Sequence, residues 1–380
     1  MKVAIIHEWL ETFAGSERVV AELLECFPDA DVFVLVDFMP EEARGFLKGR
    51  RVRTSFIQKL PFARSRFRHY LGLMPIAVEQ FDLSLYDLVI SSSHAVAKGV
   101  ITGPDQVHVS YVHSPMRWAW DMQGQYLRQT GMERGLKSIY LRWLLHRMRL
   151  WDVRTAHGVD VFVANSRYVA RRIRKVYGRD AIVVPPPVDV DRFTLSLAHG
   201  DAYLVASRMA PYKRIDLVVE AFTHMPDRQL VVIGDGSERA SVVAAANKAP
   251  NITFLGAVST GDLVQAMGQA RAFIFPAEED FGITMVEAQA CGTPVIAFGR
   301  GGALDIVLRD GGEPTGYVFD EQTPQAIVAA VAEFERIEAT ISPENCRRNA
   351  VRFSRQMFRT RMMAVIDGAL HPGEPQRRAA

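Results

Sequence analysis

Two series of short Val- and Ile-rich runs, each run followed by an amphipathic segment, are separated by three consecutive prolines, Pro185-Pro186-Pro187. In the first series strands are expected at 2–6, 31–36, 88–92, 107–112, 161–164 and 181–184, with helices at 16–26, 137–156 and 167–177. Strands that are apolar throughout, rather than at every second residue, belong to parallel sheets covered by helices on both faces. Three prolines in a row suit neither a central strand nor a helix interior, so they mark a stiff exit from a first domain.

The second series repeats the pattern, with strands expected at 203–206, 230–233, 252–255, 272–275, 295–297 and 317–319. Helices are expected at 214–224, 237–247, 260–270, 284–291 and 324–337. The fold class is therefore α/β, with two doubly wound Rossmann-like domains facing across a cleft. The expected domains are 1–190 and 200–352, joined by a linker at 194–201. A length of 380 residues suits two cores. In such sheets ligands bind beyond the carboxyl ends of the strands, so chemistry is sought in the loops there.

Composition narrows the class. Hydrophobic residues make up 48% and charged residues 23%, which excludes a disordered or collagen-like chain. No apolar run approaches the ~20 residues of a spanning helix. Met1-Lys2 leads into a short apolar stretch that stops at His7-Glu8, unlike a secretory leader. Cys26, Cys291 and Cys346 are odd in number and far apart, which fits reduced thiols. A cytoplasmic protein is expected.

Charge is uneven. Residues 1–190 carry 26 Lys and Arg against 20 Asp and Glu, a net +6; residues 191–380 carry 19 against 23, a net −4. The basic residues gather at Arg50, Arg51, Arg53, Lys59, Arg64, Arg66 and Arg68, and again over 167–175, with apolar residues between them. Such clusters are either solvated helix faces or a surface for anionic phospholipid, where each basic residue contributes about 1 kcal/mol. Nucleic-acid binding is not expected, because no recognised module accompanies the charge.

The stretch from Pro276 to Pro294 is the most informative. Glu279 falls in a loop after a strand, Phe281-Gly282-Ile283 opens a helix, and Glu287 lies about a turn inside it. Gly282 allows close approach of a ligand, and the first-turn amides can hold an anion. Singly, Glu279 and Asp280 could be loop charges that favour a helix N-terminus. In combination, two glutamates, a glycine and a helix start point to a phosphate flanked by sugar hydroxyls. Arg208 ends the first strand of this half, and Lys213 follows a proline-set turn. A guanidinium and an ammonium from one loop can balance a diphosphate. Gly234-Asp235-Gly236 follows the next strand and is weak evidence alone.

The order Arg208…Lys213, Gly234-Asp235-Gly236, Glu279 and Glu287 closely resembles the retaining GT-B glycosyltransferases of family 4. Ala14-Gly15-Ser16-Glu17-Arg18 looks like that family's glycine-rich first loop and helix. The resemblance implies that Arg208 and Lys213 neutralise the pyrophosphate of a nucleotide-sugar donor and stabilise the leaving diphosphate. It implies that Glu287 binds ribose, while Glu279 and the amides of Phe281, Gly282 and Ile283 hold the donor sugar and phosphate. Gly15 would give the acceptor-side loop room, Gly234 would lie near the nucleotide, and the base would be met by backbone groups near Gly256 to Val258. His113 matches the family's cleft histidine; on its own it reads as a hydrogen-bonded core histidine, like His7, His94 and His108. A helix over 354–371 would cross back to the first domain.

Departures from the family pattern are small. The usual double glycine of the first loop is Ala14-Gly15, and the exit segment reads Pro185-Pro186-Pro187-Val188-Asp189. The run from His113 to Asp121 looks most like bacterial mannosyltransferases of polysaccharide assembly. The implied activity is retaining transfer of a hexose, mannose from GDP-mannose, to a polyprenyl-diphosphate-linked saccharide. UDP-sugars are the alternative donors, and an inactive nucleotide-sugar sensor or scaffold is the alternative role. No cofactor and no metal site are expected, because no D-x-D-like pair sits at a strand end. Peripheral contact with the inner face of the cytoplasmic membrane is expected through the basic stretch 50–70. A dinucleotide-dependent hydride transferase is disfavoured, since the first loop lacks G-x-G-x-x-G.

Overall fold

The computed structural model describes residues 1–309 and 312–372. The chain divides into two units, one comprising Met1–Pro186 with the chain from Phe358 onward, the other Pro187–Met357.

Unit 1 is built on a parallel sheet of seven strands: β1 (Val3–Leu10), β2 (Asp31–Asp37), β3 (Val52–Thr54), β4 (Leu88–Ser93), β5 (Val107–Val112), β6 (Val161–Ala164) and β7 (Ala181–Val183). Their order is β3-β2-β1-β4-β5-β6-β7, so the direction of winding reverses between β1 and β4. Successive side chains leave a strand on opposite faces. Ile5, Val34, Ile90 and Tyr111 enter one core with Val19 and Leu23 of the helix Gly15–Cys26. Ala4, Ile6, Phe33 and Val89 enter the other with Leu145 and Met148 of the helix Leu136–Thr155. Both faces are dry, which is why the strands read as unbroken apolar runs.

Unit 2 repeats the plan with six parallel strands: β8 (Tyr203–Ala206), β9 (Leu230–Ile233), β10 (Ile252–Gly256), β11 (Phe273–Phe275), β12 (Val295–Phe298) and β13 (Gly316–Phe319). Their order is β10-β9-β8-β11-β12-β13, and the switch falls between β8 and β11. Leu204, Phe273, Phe275 and Val295 pack under the helix Ile283–Ala290 through Met285 and Val286. On the opposite face Val205, Ile274 and Ile296 meet Val218 and Phe222 of the helix Ile215–Thr223.

The helix Arg355–Leu370 begins at the end of unit 2, and its Phe358, Met362 and Ile366 are buried in the core of unit 1 with Leu23 and Tyr111. The chain thus returns to its first unit.

The expected linker is placed differently. Val188 N donates to Phe353 O at 2.9 Å, Ser196 N to Cys291 O at 2.9 Å and Gly200 N to Gln269 O at 2.8 Å. Arg347 Nη1 donates to the carbonyls of Val190, Phe193 and Ala290, each at 2.8 Å. Residues 194–201 are therefore fastened to unit 2, and the division falls inside the proline run. Among the described residues no helix is long and apolar enough to cross a membrane.

Candidate functional site

In unit 2 the loops that follow β8 and β11 leave the sheet at its switch point, where neighbouring connections diverge and open a crevice. Lys213 lies in the turn Pro211–Lys213 after β8, and Glu279 in the loop after β11. Lys213 Nζ donates to Glu279 Oε1, with both side chains mostly buried. Arg208 Nη2 donates to Tyr212 Oη at 3.2 Å, and Lys213 Nζ lies 5.4 Å from the centre of the same ring. Tyr212 thus stands between the two cations that the sequence singled out, a position the sequence reading missed.

Backbone packing holds these loops together. Gly234 has φ 132° and lies against the loop after β8, where a Cβ would collide with the Ser207 carbonyl oxygen. Ser207 N donates to Ile233 O at 3.1 Å, and Met209 N to Asp235 O at 2.9 Å. Gly234 N reaches Gly256 O at 2.8 Å, which ties in the loop leading to Val258. Val258 itself packs its half-buried side chain on the core that includes Phe281 and Met285. On the other side, Gly302 N donates to Glu279 O at 2.9 Å, fixing the Glu279 backbone from the loop after β12. The pair Gly301-Gly302 was also missed, although two glycines after an expected strand are a visible signal.

The helix Ile283–Ala290 begins at Gly282, which has φ 97° and takes the left-handed conformation that glycine adopts without strain. Phe281 is buried and meets Phe353 edge-on, with ring centres 5.6 Å apart, so its side chain serves the core and only its backbone is offered to a ligand. Ile283 packs on the same core, half-buried. Glu287 is buried on the first turns of this helix. Lys213, Glu279, Gly282 and Glu287 thus share the β8 and β11 end of the sheet.

Unit 1 has its own polar cluster at the corresponding switch point. His113 follows β5; its N–H donates to Ser93 O at 2.8 Å, and its carbonyl accepts from Asn165 Nδ2 at 2.9 Å. Its Nε2 lies 2.8 Å from Ser92 Oγ. The same hydroxyl is 3.2 Å from Nδ1 of His7, whose Nε2 lies 3.3 Å from Glu17 Oε1. Glu17 Oε2 in turn accepts from Ala14 N at 3.0 Å, capping the helix that Gly15 begins. A hydrogen-bonded chain therefore runs from the Ala14-Gly15 loop through Glu17, His7 and Ser92 to His113.

Electrostatics keep this cluster in defined states. Burial, and then the neighbouring His94 and His7 rings, hold the His113 imidazole well below its ordinary range, so it is neutral at pH 7. Burial pushes Glu17 up, but hydrogen bonds from His7 and the amides outweigh it and leave the carboxyl below its ordinary value. Glu8 is fully buried and accepts from the amides of His94, Ala95, Val96 and Ala97 at 2.8–3.0 Å. Burial pushes the Glu8 carboxyl up, but His94 and then those bonds outweigh it and leave it below its ordinary value. The Glu8 carboxylate thereby fixes the loop carrying His94, whose ring centre is 6.2 Å from that of His113.

The sequence grouped His7, His94 and His108 as core histidines. His108 is one, held between Ser91 Oγ at 2.9 Å and Gly158 O at 3.1 Å. His7 is another, buried and hydrogen-bonded to Ser92 and Glu17, and it joins His94 beside His113. Among the described residues no group of three or more His, Cys, Asp or Glu side chains could hold a metal ion.

Comparison with known proteins gives a consistent picture. A family model described as "Glycosyltransferase Family 4" matches residues 13–192, and one described as "Glycosyl transferases group 1" matches residues 191–353. A GDP-mannose-dependent monoacylated alpha-(1-6)-phosphatidylinositol monomannoside mannosyltransferase of Corynebacterium glutamicum is 32% identical over 178 residues, 39% of this chain and 47% of that protein. A D-inositol 3-phosphate glycosyltransferase of Geodermatophilus obscurus is 33% identical over 203 residues, 45% of this chain and 44% of that protein. The chain spans about half the length of the curated relatives it matches. Among solved structures, sucrose-phosphate synthase of Thermosynechococcus elongatus superposes with a TM-score of 0.70 at 17% identity, covering 97% of this chain and 98% of that one. HepE of Anabaena in complex with UDP gives 0.69 at 16% identity, covering 97% and 100%. At these identities the two structures speak to the fold.

Proposed function

Because the chain belongs to the family 4 glycosyltransferases and has their GT-B fold of two Rossmann-like domains, we propose that it is a retaining mannosyltransferase acting from GDP-mannose on a lipid-linked saccharide. The observation that carries the proposal is the Lys213–Glu279 pair at the switch point of unit 2, with Arg208 beside it on Tyr212. A cation and an acid paired in this crevice can separate onto a donor whose diphosphate is anionic and whose sugar is rich in hydroxyls. The mannosyltransferase relatives support the donor choice.

Transfer proceeds by front-side attack. The acceptor oxygen bonds to the anomeric carbon as the bond from that carbon to the phosphate oxygen breaks on the same face. The departing phosphate oxygen takes the acceptor's proton, so the diphosphate leaves as a nucleoside diphosphate. Negative charge grows on the leaving group and positive charge on the sugar ring. Lys213 and Arg208 stabilise the leaving group, where fixed charges are most effective. Glu287 holds the ribose, Glu279 and the backbone of Phe281–Ile283 hold the sugar and phosphate, and Gly234 and Val258 line the nucleotide path. Neutral His113 is a hydrogen-bonding group suited to a sugar hydroxyl. No metal takes part, and the acceptor is met at the cytoplasmic face of the membrane.

A panel of nucleotide sugars, read by thermal shift and then by mass-detected transfer, tests the proposal. GDP-mannose should give the largest shift and the fastest transfer. Preference for a UDP-sugar overturns the donor assignment, and binding without any transfer identifies a sensor.

A further inference from the structure

The helix Leu136–Thr155 has two apolar faces, and only one is covered. Leu145 and Met148 are buried in the core, with Leu141, Leu144 and Trp151 packed against it. Beside this covered face Leu136, Ile139, Tyr140 and Trp143 are 85%, 65%, 62% and 56% exposed. Their spacing of three, four and seven residues places them on one stripe. Tyr140 and Trp143 stack on each other, with ring centres 6.1 Å apart. A groove of about 500 Å³ joins this stripe to a neighbouring turn, lined by Leu73, Pro75, Ile76, Tyr140, Trp143 and Arg147. Leu73 and Ile76 are also exposed. Contiguous exposed apolar surface of this kind marks an interaction site.

Charge identifies the occupant. Lys137, Arg142 and Arg147 flank the stripe on the exposed side. The helix has one carboxylate, Asp152, and it is fully buried against Lys98 Nζ at 2.8 Å. An exposed stripe with Trp and Tyr, basic flanks and no exposed acid of its own suits the headgroup region of an anionic bilayer. The stretch 50–70, expected from sequence to serve this purpose, is partly engaged elsewhere. Arg50 Nε donates to Pro28 O at 2.9 Å, Arg53 lies 3.4 Å from Asp31, and Arg68 pairs with Glu11.

We propose that the exposed face of Leu136–Thr155, with the adjoining Leu73–Ile76 turn, is the surface by which unit 1 docks reversibly on anionic phospholipid. The proposal rests on the reading above only in that a lipid-linked acceptor makes such docking useful; the surface itself is independent of the donor site.

Vesicle sedimentation tests it, using phosphatidylcholine alone and phosphatidylcholine doped with phosphatidylglycerol. The protein should pellet with the doped vesicles only, and less so as salt rises. The double variant Ile139→Ser/Trp143→Ser should lose binding by about tenfold or more, with its melting temperature and its thermal shift by GDP-mannose unchanged. Arg142→Glu/Arg147→Glu should do the same through charge, and serves if the first variant is unstable. Arg64→Glu/Arg66→Glu should have a smaller effect. Unchanged binding of both helix variants, or equal binding to both vesicle types, overturns the proposal. So does a lipid-free dimer that Ile139→Ser/Trp143→Ser dissociates, because the face then belongs to a second copy. Loss of the GDP-mannose shift in the unmodified protein counts against the donor assignment and leaves the lipid result standing.

Discussion

Lys213 donates to Glu279 across 66 residues of sequence, joining the loops that leave the two strands at the switch point of unit 2. The pair keeps both charges satisfied in a mostly buried position. On the proposed reading, a bound donor would exchange this ion pair for two new sets of contacts.

Lys213→Ala should lower turnover by about a hundredfold or more, because it removes one fixed charge from the leaving diphosphate, typically worth ~3 kcal/mol of barrier. Arg208→Ala, on the exposed side of Tyr212, should act in the same direction. Steady-state kinetics on folded variants check this, and wild-type rates in either would remove that residue from the leaving-group site.

Glu287→Gln should raise the KM for donor by about tenfold and leave kcat nearly unchanged, as expected for a contact to ribose made equally in the ground and transition states. A fall in kcat with unchanged KM would place Glu287 at the reacting sugar.

Gly234→Ala should destabilise unit 2. At φ 132° its new Cβ would meet the Ser207 carbonyl, and a non-glycine residue there carries backbone strain of about 1–3 kcal/mol. A melting temperature lower by about 5–10 °C is expected for a domain of this size. An unshifted melting curve would show that the loop after β9 can move away from the loop after β8.

Acid should destabilise unit 1 before it protonates the buried carboxylates. Burial holds His108 down to about 4, against an ordinary value of 6.5. Between those values the unfolded chain binds a proton that the folded chain refuses. Stability therefore falls by about 1.4 kcal/mol per pH unit as pH drops from 6.5 towards 4, and is independent of this group above it. His94 and His113 are shifted in the same direction. Urea unfolding at pH 5 and pH 7 measures the slope, which should be shallower in His108→Gln. An identical slope in that variant would assign the acid sensitivity elsewhere.

The fold was legible because both sheets are buried on both faces, so that runs such as Val32–Val36 carry no interrupting polar residue. The same reasoning failed where polar residues are buried. β1 continues through His7 and Glu8 to Leu10 because Ser92, Glu17 and the amides of 94–97 satisfy both side chains. From sequence alone those residues read as the end of a strand. The three-residue edge strand β3 lies among basic residues and has too few apolar positions to announce itself. The linker was misplaced because the contacts of 194–201 are backbone hydrogen bonds to residues far along the chain, which leave no local pattern. At the site, glycines and charges could be seen singly. The pairing of Lys213 with Glu279 and the chain from Glu17 to His113 depend on which strands are neighbours.

The most direct measurement is the release of GDP and the mass of the product when the purified protein is given GDP-mannose and a lipid-linked saccharide acceptor. The account predicts stoichiometric GDP and acceptor heavier by one hexose from the wild type, with both lost together in Lys213→Ala. GDP-mannose left intact while a UDP-sugar is consumed, or equal product from Lys213→Ala, would contradict it.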